Sequence, residues 1–163
     1  MSKKNLILLF VMLVTASVSF AQEKFFTKTG KINFFSKATL EDIEAKNKTV
    51  TAVIDSKSGA IQFSVQMKGF EFEKKLMQQH FNENYVESDK FPKAVFTGKI
   101  QNAQDLKLTQ DGTYALKVNG SLTIHGVTKE QNAQAVFTVK GGNIEANRSS
   151  GPATARRFIV RNS

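Results

Sequence analysis

The sequence predicts an all-β chain, an antiparallel barrel or sandwich interrupted by one helical insert. Three observations lead there: apolar and polar residues alternate with a period of two, the turns are short and polar, and one segment has helical spacing. Each predicted strand has a drier and a wetter face, as antiparallel sheets do. Long strands joined by hairpins favour closure, which also removes exposed edges.

Six segments carry the alternation, and residues 113–124 form a predicted strand of twelve residues. Leu106 and Leu108 indicate a shorter strand. Residues 55–59 and 109–112 are polar and end in glycine, which is typical of hairpin turns. The dry-face positions are Ile32 and Phe34; Val50, Ala52 and Ile54; Ile61, Phe63, Val65 and Met67; Ala94, Phe96, Gly98 and Ile100; Tyr114, Leu116, Val118, Gly120, Leu122 and Ile124; and Ala133, Ala135, Phe137 and Val139.

Residues 73–84 break this period. Leu76 and His80 lie four positions apart, as do Met77 and Phe81, and the segment contains neither proline nor glycine. Pro92 then blocks helix and starts the next strand. The spacing predicts one helix between two strands, covering one end of the barrel.

Residues 1–21 have the features of an export signal. Lys3 and Lys4 precede an apolar run at 6–14, and Ser19 and Ala21 provide the small residues of a cleavage site. The run is shorter than the about 20 residues that cross a bilayer core. We expect cleavage near Ala21, a single barrel domain in residues 22–147, and a periplasmic or secreted protein.

Composition excludes several classes of function. The chain has no cysteine, which excludes disulfides, thiol catalysis and cysteine-ligated metals. Its formal net charge is +9. The lysines are scattered singly along strands, which indicates a solvated basic surface and no nucleic-acid partner, and leaves weak contact with an anionic membrane surface open.

No reactive motif is present: the sequence has no P-loop, no G-x-S-x-G, no G-x-G-x-x-G and no zinc signature. His80 and His125 lack the further ligands that a metal needs. Glu83 and Glu87 would be the carboxylate pair of a glycosidase. Carboxylates at a helix end are more often solvated or paired with a lysine such as Lys90. We therefore expect no enzyme, no metal and no cofactor.

The dry faces mix phenylalanines with glycines and alanines, and two interpretations fit. A barrel of about eight strands either holds one slim apolar ligand or fills with side chains. The pattern alone does not separate them. His125 has two interpretations as well: a polar group at the mouth of a cavity, or a histidine that hydrogen-bonds the turn backbone near Gly126 and Thr128.

Two segments resemble the YceI-like family of secreted bacterial proteins, known as polyisoprenoid-binding. They are HFNENYVESDKFPKAVFTG at 80–98 and GSLTIHGVTK at 120–129, and the segments 29–38 and 40–45 also look similar. The resemblance extends from about Thr29 to about Ala146. It implies a lipocalin-like antiparallel barrel of about eight strands around an elongated apolar pore that holds a polyisoprenoid chain.

With that resemblance, we expect an isoprenoid or similar long apolar lipid as the partner, bound for transport or storage. Apolar burial would supply the affinity, while His125 and Tyr85 at the mouth would orient the head. Two alternatives are a filled barrel that binds a protein or surface partner, and a lipid- or glycan-acting hydrolase. From strand alternation, the expected ligand-binding residues are Phe34, Ile61, Phe63, Val65, Phe96, Leu116, Val118, Leu122, His125 and Phe137.

Residues 148–163 form an atypical tail. Every arginine of the chain lies there, namely Arg148, Arg156, Arg157 and Arg161. The tail does not resemble the strand that ends the family's barrel, which indicates a frameshift or a divergent end. The run 158–160 is the only apolar run left to pair. Without a closing strand, the barrel would have an open edge.

Overall fold

The computed structural model describes residues 24–36, 43–148 and 157–160. The predicted export signal at 1–21 and its cleavage site lie outside these residues. The strands are β1 (Lys24–Ser36), β2 (Ile43–Asp55), β3 (Ala60–Gln66), β4 (Phe70–Phe72), β5 (Lys93–Ile100), β6 (Gly112–Ile124), β7 (Val127–Lys140), β8 (Asn143–Arg148) and β9 (Arg157–Val160). The helix α1 (Lys75–His80) lies between β4 and β5.

The described strands form one antiparallel sheet that closes into a barrel. Eight of them follow the order β1-β9-β8-β7-β6-β5-β3-β2, and β1 pairs with β2 to complete the ring. The short strand β4 extends the sheet beside β2. The predicted antiparallel, lipocalin-like β-barrel with one helical insert is confirmed.

The tail supplies the last strand of the ring. Backbone pairing joins β9 to β1 at Lys31↔Ile159 and to β8 at Ile144↔Val160. The run 158–160 therefore pairs, and the described backbone has no open edge between β8 and β1. Closure needs only an extended segment of sufficient length, because the pairing is made by main-chain groups.

The β6–β7 hairpin is the longest paired unit among the described strands. Its register runs from Gly112↔Val139 to Ile124↔Val127. The connecting residues His125 and Gly126 have φ values of 52° and 71°, the left-handed conformation that a two-residue hairpin turn of type I′ requires. A side chain at position 126 would also lie 2.7 Å from the ring of Phe91. The turn therefore needs its glycine.

The predicted helix is present, with shifted bounds. It begins at Lys75 and runs as α-helix to His80, then continues as a π-helical turn over Phe81–Tyr85. The hydrogen bond from Val86 N to Phe81 O spans the five residues that define such a turn. We call residues 75–86 the insert.

The short strand predicted at Leu106 and Leu108 is wrong, and so is a hairpin at 109–112. These leucines follow a single 3-10 turn at Ala103–Asp105. Both side chains are almost fully buried, with 2% and 3% exposed. Their two-residue spacing reflects two side chains that fill the end of the barrel, in a segment that has no strand partner.

Two apolar clusters lie inside the barrel, one toward each end. The cluster around Leu106 and Leu108 fills what we call the closed end. The second lies beneath the insert, where Phe81 packs against Phe70 and Phe72 with ring centroids 5.6 and 4.9 Å apart. We call this second end, which includes the β6–β7 turn, the rim. The closed end contains Phe25, Ala52, Ile54, Ile61, Ile100, Ala103, Leu106, Leu108, Leu116, Val118, Phe137, Val139 and Ile144.

Candidate ligand-binding site

Strand register defines rows of side chains on the inner wall of the barrel. Residues directly opposite each other in an antiparallel pair share a face of the sheet. One row crosses β3, β5, β6 and β7. The next row toward the closed end follows the same strands. The upper row is Phe63, Phe96, Leu122 and Lys129, and the lower row is Ile61, Gly98, Gly120 and Gln131.

The predicted ligand-binding residues separate into two groups. Ile61, Leu116, Val118 and Phe137 are buried in the closed-end cluster, and Val65 is buried in the cluster beneath the insert. These five side chains pack against their neighbours. A role for them in ligand contact stays a prediction.

Three of the other predicted residues remain partly accessible. Phe63, Phe96 and Leu122 are half-buried, and the two phenylalanines pack on the closed-end cluster. The backbone of Phe34 pairs with Ala45, while its side chain lies outside the described residues. The inner wall of this upper half therefore exposes apolar surface that the barrel's own side chains do not cover.

A glycine pair shapes this wall. Gly98 and Gly120 are direct cross-strand partners. A side chain at either position would come within 2.8 Å of the Phe96 ring, and at position 120 within 2.4 Å of the Thr97 carbonyl oxygen. The Phe96 ring therefore packs directly on the backbone of both glycines. It also stacks on Phe63, with centroids 6.1 Å apart.

We call Phe63 and Phe96 the aromatic shelf. It forms the boundary between the packed closed end and the open upper half. The sequence shows both glycines on dry faces, but it does not reveal that they are opposite each other. That requires the strand register.

A contact between Glu87, which directly follows the insert, and His125 in the β6–β7 turn holds the rim together. His125 Nε2 lies 2.6 Å from Glu87 Oε2, and the imidazole meets the Phe91 ring edge-on at 4.8 Å. This hydrogen bond, and then the charge of Lys90, hold the pKa of Glu87 below its usual range. The structure thus places His125 at the rim, where it pairs with a carboxylate instead of the turn backbone.

Backbone strain is concentrated at the same contact. Glu87 and His125, with φ values of 43° and 52°, are the residues other than glycine that adopt positive φ within the described part of the chain. Such conformations are uncommon for residues with a side chain and persist where the surroundings enforce them. The pair fixes the position of the turn relative to the insert.

The other polar candidates do not form a reactive group. Tyr85 is 75% exposed on the insert. Glu83 accepts a hydrogen bond from Gln79, whereas Glu87 bonds His125, so the two carboxylates have different partners. Across residues 24–36 and 43–148, no group of three or more histidines and carboxylates is arranged to hold a metal ion. Within the described residues, every helix is too short or too polar to span a lipid bilayer.

Sequence reasoning missed a shallow groove on the outer wall. It lies where the connection after β5 passes the β6–β7 hairpin. Ala115 and Val136, which are cross-strand partners facing outward, form its apolar part. Both residues are apolar at outer positions that are otherwise mostly polar. This interruption of the alternation was the sequence signal that could have indicated the groove.

A model of the YceI-like domain matches residues 13–160 of the chain. The chain belongs to the YceI-like family. The match includes Arg157–Val160, the part of the tail that forms β9. No protein in the curated set matches the chain.

Solved structures agree on the YceI-like fold. A polyisoprenoid binding domain from Saccharophagus degradans, implicated in plant cell wall breakdown, superimposes with a TM-score of 0.69 at 14% identity, over 85% of this chain and 96% of that one. BcnA from Burkholderia cenocepacia gives 0.57 at 15%, over 80% and 93%. The Campylobacter jejuni YCEI protein gives 0.52 at 17%, over 77% and 85%. At these identities the likeness establishes the fold alone.

Proposed function

We propose that this YceI-like protein binds an isoprenoid or similar long apolar lipid on the inner wall of the barrel, between the aromatic shelf and the rim. One observation carries the proposal: Phe63, Phe96 and Leu122 are only half-buried on a concave wall whose other end is packed. Covering apolar surface contributes roughly 25 cal/mol per Å² before ordering costs are subtracted. Family membership and the polyisoprenoid binding domain among its structural neighbours support the same ligand class.

The packed closed end limits where the lipid lies. Leu106, Leu108 and Phe137 occupy the space below the aromatic shelf. The apolar tail therefore lies against the shelf, and the head faces the rim, where polar groups meet water. A tail shielded in this way is carried or stored in water without exposing its apolar surface.

We also propose that the protein is exported and acts as a binder, not as an enzyme. The basic start and apolar run of residues 1–21 support export to the periplasm or exterior. N-terminal sequencing of the protein from its own host should begin near Gln22. Recovery of an intact Met1 would contradict export with cleavage. Bound lipid should be recovered chemically unchanged after prolonged incubation.

The first experiment is native mass spectrometry of protein purified gently from its host. A discrete added mass that disappears on organic extraction and is identified as an isoprenoid lipid would support the proposal. Folded protein without added mass, before and after incubation with isoprenoid alcohols or quinones, would contradict it.

A pair of variants on β6 tests the position of the lipid. Leu122→Glu places a carboxylate beside the aromatic shelf, where a bound tail would desolvate it, so we expect affinity to fall at least about tenfold. Asn119→Glu places the same charge on the exposed outer face and should leave affinity unchanged. Equal effects of the two substitutions would contradict an inner-wall site.

A second candidate function is supported by the five predicted lining residues that pack as core and by the outer groove. In that case the barrel is a scaffold, and a protein partner contacts the outer wall near Ala115 and Val136. Substitution Val136→Glu would then abolish partner binding, whereas Leu122→Glu would not. If the lipid proposal is correct, Leu122→Glu weakens lipid binding and Val136→Glu does not.

A further inference from the structure

Lys129 occupies an unusual place in the barrel wall. It is the cross-strand partner of Leu122, which is in turn the partner of Phe96. The other described inward positions from β1 to β7 carry uncharged residues. A single ammonium group therefore belongs to the wall that holds the aromatic shelf.

The facing of Lys129 is fixed independently by its neighbours. Thr123 and Thr128 are partners on the opposite face, and their hydroxyl oxygens lie 2.7 Å apart. Since successive residues of a strand point to opposite faces, Lys129 belongs with the inner set. Gln131, two positions further along β7, is half-buried opposite Gly120.

Lys129 has no ion-pair or hydrogen-bond partner among the described residues. Its neighbour Glu130 belongs to the outer face, opposite Ser121. In the free protein, water solvates the exposed ammonium. A lipid against the aromatic shelf displaces part of that water, and a neutral ligand offers the charge nothing in return.

We propose that Lys129 selects lipids with an anionic head such as a phosphate monoester. This inference rests on the proposed function, because the head is placed by a tail on the aromatic shelf. An anionic oxygen would receive charge-assisted hydrogen bonds from the ammonium group. Lys129 thereby determines head specificity, while Phe63, Phe96 and Leu122 hold the tail.

The test compares two ligands that differ only at the head, geranylgeraniol and geranylgeranyl monophosphate. Equilibrium gel filtration with radiolabelled lipid gives the two affinities for the purified protein and for Lys129→Met, Lys129→Arg and Lys99→Met. Lys99 is the matched control, since it is exposed on the outer face of β5. We expect the unmodified protein to prefer the phosphate by about tenfold or more.

Lys129→Met should abolish the preference by weakening phosphate binding alone, whereas Lys129→Arg and Lys99→Met should retain it. An unchanged preference in Lys129→Met would overturn the inference. Equal binding of both lipids by the unmodified protein would overturn it too, while leaving the lipid-binding proposal intact. Failure of both lipids to bind would instead contradict the proposed function.

Inorganic phosphate separates a lipid head from a free anion. Without a lipid tail, an anion would contact only the exposed ammonium group of Lys129. We therefore expect inorganic phosphate at micromolar concentration to displace neither lipid. Displacement of geranylgeranyl monophosphate by micromolar inorganic phosphate would show that the anion binds without a tail, and would overturn the assignment of Lys129 to a lipid head.

Discussion

The two ends of the barrel are built from the same strands but are packed differently. At the closed end, Ile100 and Ile144 are fully buried. At the rim, Ile124 and Val127, from the same β6–β7 hairpin that supplies Leu116 and Phe137 below, are 39% and 53% exposed. Strand alternation determines which face a residue occupies. Its burial depends on whether another segment covers that end.

The segment after β5 accounts for the difference. Its leucines, Leu106 and Leu108, enter the closed end and complete the packing there. The insert contributes Val86 to the cluster that buries Val65, but the β6–β7 hairpin tip stays exposed. Stability is therefore concentrated at the closed end, and accessible apolar surface at the rim. The following predictions test that division.

The largest effect is expected for Phe137→Ala in the closed end. Phe137 is almost fully buried among the core residues, so its removal leaves a cavity that costs about 3–5 kcal/mol of the free energy of unfolding. Leu122→Ala, at a half-buried position, should cost less stability while weakening lipid binding. Urea unfolding monitored by circular dichroism measures both. Similar losses for the two variants would contradict the division between the ends.

An intermediate effect is expected for Gly120→Ala at the aromatic shelf. The new methyl group would lie 2.4 Å from the Thr97 carbonyl oxygen and against the Phe96 ring. Overpacking of this kind typically costs about 1–3 kcal/mol, and displacement of Phe96 should also lower lipid affinity. The same unfolding and lipid-binding measurements apply, with exposed Asn119→Ala as the control. A stable variant with unchanged affinity would show that the shelf is not where the lipid lies.

The smallest effect is expected at the rim, for Glu87→Gln. Because the pKa of Glu87 is lowered in the folded protein, the stabilisation from its bond to His125 is present above the ordinary carboxylate pKa of about 4.3 and is lost as the pH falls through the lowered value. We expect the unmodified protein to unfold at slightly higher urea concentration than Glu87→Gln at pH 6. The difference should shrink as the pH is lowered below the ordinary carboxylate value and Glu87 becomes protonated. A difference independent of pH would assign the effect to packing.

Much of the fold followed from residue patterns. The alternation through residues 113–124 predicted β6 almost to the residue, and the helical spacing at 73–84 predicted the insert, because side-chain periodicity is a local property. Leu106 and Leu108 were misread since two alternating leucines have the same spacing in a strand and in a loop that fills a core. The sequence singled out 158–160 as the apolar run left to pair but left closure of the barrel open, because the pairing of β9 depends on main-chain groups that composition does not reveal.

The candidate site was less accessible to such reasoning. Alternation alone placed Phe63, Phe96, Leu116 and Phe137 on one inner wall, and it predicted that all four bind the ligand. It also treated Lys129 as one more scattered surface lysine. Depth along the barrel, which separates packed core from accessible wall, depends on contacts between segments distant in sequence.

The sequence by itself determined the two-residue alternation of apolar and polar residues, and with it the all-β class and the facing of most strand residues. It also determined the helical insert and the likeness to the YceI-like family. Tertiary structure decided that β9 closes the ring, that Gly98 lies opposite Gly120 beneath Phe96, that His125 bonds Glu87 across 38 residues, and that Lys129 shares a wall with the aromatic shelf. The physical reason is that facing is set by neighbours along the chain, whereas register and burial are set by pairing across it.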